Sequence, residues 1–301
     1  MSQLRAHYAF ALAVAIVPAG LIGIGLVGYD YYQREREQVV RNTAATARVL
    51  ATAVDGELAS TRAALFALAS SPALGADDLA AFDAQARAAL KNQSFGNIVL
   101  IDAASQQRIN TLRPYGTELP AFDNPFLRRT LAEGKPVVTD LFRGPVAGRP
   151  LLAVGVPVLR EGAVRYALAA GIFPERMAAV LTRSHLPPTW IAVVADSSGT
   201  IVARTHEPER FVGQKVAPGL LAHVGRESEG ALDTTTLEGT GVISIFSRAP
   251  ESGWTVAIGI PSVEPQRHAW LSVLRMAIAA FIMLAIALLT AVFMARRLQR
   301  S

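Results

Sequence analysis

The chain has 301 residues, and 51% of them are hydrophobic, above the roughly 45–50% usual in soluble domains; the excess sits in two uncharged blocks near the ends. There is no cysteine, which excludes disulfides, thiolate metal sites and cysteine nucleophiles. The net charge of +5 is not gathered into a basic run interleaved with aromatics, so no nucleic-acid partner is expected.

The first block, Tyr8–Gly28, is 21 residues without a charge. As a helix it rises about 30 Å, enough to cross a bilayer core. Tyr8 and Tyr29 mark its ends, as interfacial aromatics do. A cleaved signal peptide, with Arg5 as its charged region and Ala19 as its small-residue site, is the competing reading. The apolar run continues to Gly28, which favours an uncleaved anchor. The second block, Met276–Ala295, is 20 residues long and is followed by Arg296, Arg297 and Arg300. Positive flanks favour the cytoplasmic side, so both ends are expected in the cytoplasm and residues 30–268 outside it.

Residues 30–70 predict one long helix. Val40, Ala44, Ala47, Ala51, Val54, Leu58, Leu65 and Leu68 recur at spacings of three and four, with Thr61 filling one position. This stripe serves either as the seam of a homodimer stalk, the expectation adopted here, or as the helix's contact with its own domain. A second helix is predicted from Asp77, as N-cap, to about Lys91. Strands follow at Asn97–Asp102 and roughly Gln107–Leu112. Asn124 caps a short helix with Pro125 at its first position, stopped by Gly134. Val137–Phe142 is a strand, and Leu151–Val158 and Val164–Ile172 form a hairpin across Glu161-Gly162.

The order then recurs. Ile191–Asp196 and Thr200–Arg204 flank the turn Ser197-Ser198-Gly199. A short helix is expected within 218–225. Ala231–Leu237 and Val242–Ser247 form a hairpin across Glu238-Gly239, and Trp254–Pro261 closes the unit. Asp102 to Gly171 spans 69 positions and Asp196 to Gly259 spans 63, so the two halves match in scale as well as order. The predicted class is therefore α+β: two tandem PAS-like modules with antiparallel sheets along a long N-terminal helix, flanked by two transmembrane helices. The predicted divisions are 1–29 (cytoplasmic start and first span), 30–74 (stalk helix), 75–184 (membrane-distal module), 185–262 (membrane-proximal module), 263–295 (linker and second span) and 296–301 (cytoplasmic tail).

Three segments carry a resemblance to a family. They are Asn124-Pro125-Phe126-Leu127 with Gly134-Lys135-Pro136-Val137-Val138-Thr139-Asp140; Gly148-Arg149-Pro150 before a strand; and Ser252-Gly253-Trp254 leading into Thr255–Pro261. In this order, after a long helix, the chain resembles the double Cache, or tandem PAS-like, sensor domains of bacterial receptors, and its closing segment resembles those of sensor histidine kinases. The resemblance implies a transmembrane receptor of the bacterial inner membrane. It would bind a small molecule in the distal module and relay the event through the proximal module to the second membrane helix. A ligand can drive such a relay only by binding two helix arrangements with different affinity. Family members that bind amino acids carry an Arg-Pro-Trp-Tyr-like segment where this chain has Asn124-Pro125-Phe126-Leu127, so the ligand-gripping arginine is missing.

The distal module still offers Arg113, Tyr115, Asp140, Arg143, Arg149 and Tyr166 as polar groups, with Phe126 and Phe142 as apolar wall. From these, Arg113, Tyr115, Phe126, Asp140, Phe142, Arg143 and Arg149 are the expected ligand-binding residues. Several arginines point to an anionic ligand. The site is expected between residues 110 and 172, and Arg204 in the proximal module is expected to play no part. His7, His185, His206, His223 and His268 show no metal-ligand spacing, and no nucleotide loop or nucleophile elbow occurs, so neither enzymatic activity nor a cofactor is expected. Only Arg296–Ser301 follow the second span, so an output domain such as a histidine kinase would have to lie elsewhere. The alternative function is a membrane-tethered scaffold, or a partner-dependent subunit without its own ligand.

Overall fold

The computed structural model describes residues 2–92 and 95–262, together with 274, 275, 278, 279, 282 and 285; of residues 2–22, 24, 26 and 92 it describes the backbone alone. Residues 43–260 form one compact unit, and residues 1–42 group with 261–301 as another. Among the described residues no helix is long and apolar enough to cross a membrane. The run Tyr8–Gly28 falls mostly where only a helical backbone is described. All but four residues of Met276–Ala295 lie outside the described residues.

Helix α1 (Ser2–Ala69) carries the expected stripe. From Ala47 onward that stripe is buried within the single chain: Ala47, Ala51, Val54, Leu58, Leu65 and Leu68 are at most 8% exposed and belong to the main core. The stripe is thus the face by which α1 holds its own domain. The dimer seam expected from it is corrected over residues 47–68. The surface it would offer a second chain is already taken. The helix stops at Ser70, whose hydroxyl donates back to the Ala67 carbonyl, and Ser71 Oγ accepts from the Ala73 amide as the cap of the short helix α2 (Pro72–Gly75), which Pro72 opens.

Helix α3 (Leu79–Asn92) starts one residue later than predicted. Asp78, not Asp77, is the cap, its Oδ1 accepting from the Ala81 N–H at 3.0 Å. Asp77 adopts a left-handed φ of 60° and accepts the Tyr166 hydroxyl at 2.7 Å. The first sheet contains β1 (Asn97–Asp102), β2 (Gln107–Asn110), β3 (Val137–Val138), β4 (Phe142–Arg143), β5 (Pro150–Arg160) and β6 (Ala163–Ile172). Its order is β2-β1-β6-β5-β3, with β4 on β5, and each of these pairings is antiparallel. Between β2 and β3 lies α4 (Pro125–Glu133). Asn124 Oδ1 accepts from the Phe126 and Leu127 amides, Pro125 supplies a fixed φ, and Gly134 ends the helix at φ 64°, a conformation that disfavours side chains.

Helix α5 (Pro174–Thr182), absent from the sequence reading, follows, burying Met177, Val180 and Leu181. The second sheet contains β7 (Ile191–Ala195), β8 (Ile201–Arg204), β9 (Glu229–Thr235), β10 (Gly241–Arg248) and β11 (Thr255–Pro261), in the order β8-β7-β11-β10-β9. Short helices α6 (Pro208–Phe211) and α7 (Pro218–Leu221) lie between β8 and β9. Both sheets therefore follow one topology. In each, a helix contacts the first two strands, α3 on β1 and β2, and α5 on β7 and β8.

Alternation along the strands gives each sheet two apolar faces. Val154, Leu168, Ala170, Val194 and Val256 face the core shared with α1, α3 and α5. Val99, Ile101, Ala153 and Ala169 face α4 in the first module. Val193, Ala195, Ile201 and Ala257 face α6 and α7 in the second. The second face of each sheet is where a cavity forms.

One expected strand, Val137–Phe142, is broken into β3 and β4. The reason is the second module. Asp196 Oδ2 accepts the Leu141 N–H at 3.1 Å, and Asp140 Oδ1 accepts the Ser197 N–H at 3.1 Å and its hydroxyl at 2.7 Å. Those bonds draw residues 140 and 141 out of the ladder, while Thr139 still donates its N–H to the Ala153 carbonyl at 2.8 Å. The proximal module is also fixed to α1. The buried Asp55 carboxylate accepts the Glu251 and Ser252 amides at 2.7 and 3.0 Å, next to the Arg62–Glu251 pair.

Candidate functional site

The distal cavity lies between the first sheet and its cap. Its walls are Val99, Ile101, Ala153 and Ala169 from the sheet, Leu127 from α4, and Phe122 and Phe142, whose rings stack at 5.1 Å. Gly144, Pro145, Val146 and Ala147 close one side. The polar part of the wall consists of three amides, Asn97, Gln107 and Asn110, each at most 4% exposed.

A bulge brings these amides together. In a regular strand, residues 107 and 110 would point to opposite faces. Here Ile101 faces Gln107, Leu100 faces Ile109 and Val99 faces Asn110, so Arg108 is the extra residue and both amides reach the cavity face. The Asp102 carboxylate anchors the turn before the bulge, accepting from the Ala104 and Gln106 amides and from Arg108. Burial alone would raise the Asp102 carboxyl, but these bonds outweigh it and hold it below its ordinary range.

The amides form a directed chain. Gln107 Nε2 donates to the Pro120 carbonyl at 2.8 Å, an atom that can only accept. Gln107 Oε1 therefore accepts from Asn110 Nδ2 at 2.8 Å. Asn110 Oδ1 accepts from Asn97 Nδ2 and from the Leu112 N–H, both at 3.2 Å. The direction is set at one end by a carbonyl and at the middle by a backbone N–H, and it leaves Asn97 Oδ1 at the far end buried without a partner. A buried carbonyl oxygen in that condition costs about 1–3 kcal/mol until something donates to it. Gly171 makes room there, since a Cβ on it would lie 2.1 Å from Asn97 Oδ1. The cavity offers the centre of a water molecule about 30 Å³, room enough for water or a small ligand. No charged side chain lines it.

Of the residues expected to bind ligand, Phe142 lines this cavity. Arg113, Tyr115 and Arg143 are exposed, and Phe126 is half-buried on α4 and outside the lining. Arg149 pairs with Glu175 and lies over the Phe173 ring at 4.3 Å, beside a groove at the junction of the modules. Asp140 holds Ser197. Burial raises its carboxyl above the ordinary range, with the neighbouring Asp196 adding to the effect against the Ser197 hydrogen bonds and Lys215. Tyr166 bonds to Asp77. The arginines thus do not converge, and the geometric basis for an anionic ligand in this cavity is gone. The amides that do converge went unread. Their signal was present in the sequence: Asn97, Gln107 and Asn110 sit inside predicted strands, where amides are depleted unless something holds them.

Among the described residues no group of three or more His, Cys, Asp or Glu is placed to hold a metal ion. No family model matches the chain, and no curated protein matches it. Solved structures do. The ligand-binding domain of the Pseudomonas aeruginosa chemoreceptor PctC, in complex with GABA, is 21% identical with a TM-score of 0.58, over 74% of this chain and 99% of that one. The ligand-binding domain of the Pseudomonas fluorescens chemoreceptor CtaA, in complex with L-isoleucine, is 13% identical with a TM-score of 0.61, over 78% and 98%. The extracellular domain of rpHK1S-Z16, described as a histidine kinase, is 17% identical with a TM-score of 0.59, over 76% and 96%. The chain has the fold of double Cache-type sensor domains.

Proposed function

We propose that this chain is the extracytoplasmic sensor of a two-pass receptor of the bacterial inner membrane and takes a small polar molecule in the distal cavity. The observation that carries this reading is the buried amide chain ending in an unpartnered Asn97 Oδ1. A ligand that donates an N–H or O–H to that oxygen removes its desolvation cost, while the apolar wall of Phe122, Phe142 and Leu127 holds the rest of the molecule. With no charge in the lining, the preferred ligand is an uncharged donor, or an amino acid whose charged groups stay at the mouth. The solved relatives captured with GABA and L-isoleucine make amino acids the natural first panel.

The relay follows from the bonds between the modules. Phe142 lines the cavity, Leu141 bonds to Asp196, and Asp140 bonds to Ser197. A ligand that shifts the 142–147 segment therefore pulls on the turn that starts β8. The movement passes through the β10–β11 turn to Asp55 on α1. The apolar runs Tyr8–Gly28 and Met276–Ala295 supply the spans, and their arginine flanks place both outer ends in the cytoplasm. Output is expected from a histidine kinase region, carried by the same protein or by a partner. Any dimer contact uses a surface other than the 47–68 stripe.

Calorimetry of the purified chain against a panel of amino acids and uncharged amides tests the site. Asn97→Leu, which removes the free oxygen, is expected to weaken binding roughly tenfold or more. Equal binding to the parent and to Asn97→Leu places the ligand elsewhere. Reporter fusions at Ser301 and Gly75 are expected in opposite compartments; a shared compartment rejects the topology.

A further inference from the structure

The proximal module contains a second polar anomaly. Arg204 is 3% exposed, yet its Nη1 has no hydrogen-bond partner. Nη2 is bound to the Glu238 carboxylate, at 2.6 Å to one oxygen and 2.9 Å to the other, and the guanidinium lies 4.0 Å from the Phe211 ring centroid. Burial would raise the Glu238 carboxyl, but the bonds it accepts, that from Arg204 foremost, hold it below its ordinary range, so the pair stays ionised.

Arg204 lines a cavity on the α6–α7 face of the second sheet, walled by Val193, Ile201, Leu220 and Val242. It reaches that face by the device seen in the distal module. Val193 faces Arg204 and Ala195 faces Ile201, with a bulge between them, just as Val99 faces Asn110 and Ile101 faces Gln107. Gly259, opposite Ile191, matches Gly171, opposite Asn97. Arg204 therefore occupies the position that Asn110 holds in the distal cavity, and the space before it offers a water centre about 60 Å³.

We propose that the proximal cavity is a second ligand site, specific for a small uncharged molecule with a carbonyl-type acceptor and a short apolar body. The orphaned group is a donor, so the ligand must accept. The Arg204–Glu238 pair is already neutral, and the rest of the lining is apolar but for the uncharged Thr234, Thr235, Thr236 and Ser244, so a carboxylate would bring in an uncompensated charge, whereas an amide or ketone oxygen does not. The space is small, which limits the ligand to a molecule of about the size of acetone or propionamide. The two cavities are thus complementary in sense: the distal one lacks a donor at Asn97 Oδ1 and the proximal one lacks an acceptor at Arg204 Nη1. This site stands independently of the distal reading.

Ligand-observed NMR on the purified full chain, with propionamide, acetone, propionate and propylamine as probes, tests it. Propionamide and acetone are expected to bind with dissociation constants on the order of 1 mM, as suits ligands of this size, and propionate and propylamine at least about tenfold more weakly. Arg204→Met removes the donor, and Ala257→Leu fills the cavity while leaving the Arg204–Glu238 pair intact. Acetone has no N–H or O–H to give Asn97 Oδ1, so it reports on the proximal cavity alone, and both variants are expected to weaken acetone binding at least about tenfold, with thermal unfolding showing each variant folded. Gly171→Ala, which crowds the distal cavity, separates the two sites: unchanged acetone binding by the folded variant places the probe in the proximal module. Propionate binding as tight as acetone, parent-like acetone binding in a folded Arg204→Met or Ala257→Leu, loss of acetone binding in a folded Gly171→Ala, or no binding of acetone overturns the proposal.

Discussion

Gly171 and Gly259 occupy matching positions opposite the first residue of β1 and β7, and a methyl group at each meets different surroundings. At 171 the new Cβ lies 2.1 Å from Asn97 Oδ1, while ordinary contact begins near 3.4 Å. Asn97 must therefore retreat by about 1.3 Å, and its bond to Asn110, already 3.2 Å long, breaks. Overpacking costs about 1–3 kcal/mol and the lost hydrogen bond about 1, for a total of about 2–4 kcal/mol. At 259 the nearest atoms are Val242 carbons at 3.6 Å, an ordinary contact. Gly259→Ala is accordingly expected within about 1 kcal/mol of the parent, helped by the lower chain entropy of alanine in the unfolded state. Neither glycine has a positive φ, so backbone strain does not enter. Urea unfolding of the purified chain, followed by the fluorescence of the buried Trp254, reads both. With a denaturant slope near 2 kcal/mol/M, Gly171→Ala lowers the midpoint by about 1–2 M. A parent-like midpoint for Gly171→Ala, or an equal loss for Gly259→Ala, refutes the placement of Asn97 Oδ1 against Gly171 at the far end of the amide chain.

Asp140 gives a pH dependence. Its carboxyl is raised in the folded chain, so the folded state holds the proton more tightly than the unfolded one; the associated stability is full below the ordinary value of 3.8 and is lost as pH rises through the folded-state pKa. Asp140→Asn is expected to flatten that part of the stability profile above pH 3.8, and an unchanged slope in a pH series of thermal melts counts against it. Asp55→Ala leaves the Glu251 and Ser252 amides without their acceptor and is expected to cost about 2–4 kcal/mol in urea unfolding; a loss below 1 kcal/mol means that the β10–β11 turn is not clamped through this carboxylate. Trp254→Ala empties part of the shared core and is expected to cost about 3–5 kcal/mol, measured by calorimetric melting; a shift of only a degree or two places the indole outside the core.

Much of the fold was legible in the residues. Asn124, Pro125 and Gly134 delimit α4 because each acts on the backbone beside it, and the Glu161-Gly162 turn reads as a hairpin because both residues adopt positive φ there, 51° and 82°. The repeated strand order was legible for the same local reason. The stripe on α1 announced a buried face but not its partner, since periodicity fixes which side is apolar and says nothing of what covers it. Helix α5 was missed because a nine-residue element with three buried positions gives too short a pattern.

The site lay beyond local reading. Arginines drew attention because their chemistry is strong wherever they sit, yet Arg149 is spent on Glu175 and Phe173, contacts set by the junction of the modules. The amide chain and Arg204 depend on two bulges. Strict alternation assigns residues 107 and 110, or 201 and 204, to opposite faces, and one extra residue in the pairing places each pair on the same face. That extra residue is a property of the cross-strand register, held by the turns at Asp102 and Asp196, and the register exists only once the strands are paired. The sequence by itself determined the elements and their apolar faces, because those follow from near neighbours. Tertiary structure alone decided which polar groups meet and which of their atoms go unpaired, because that depends on partners distant in the chain.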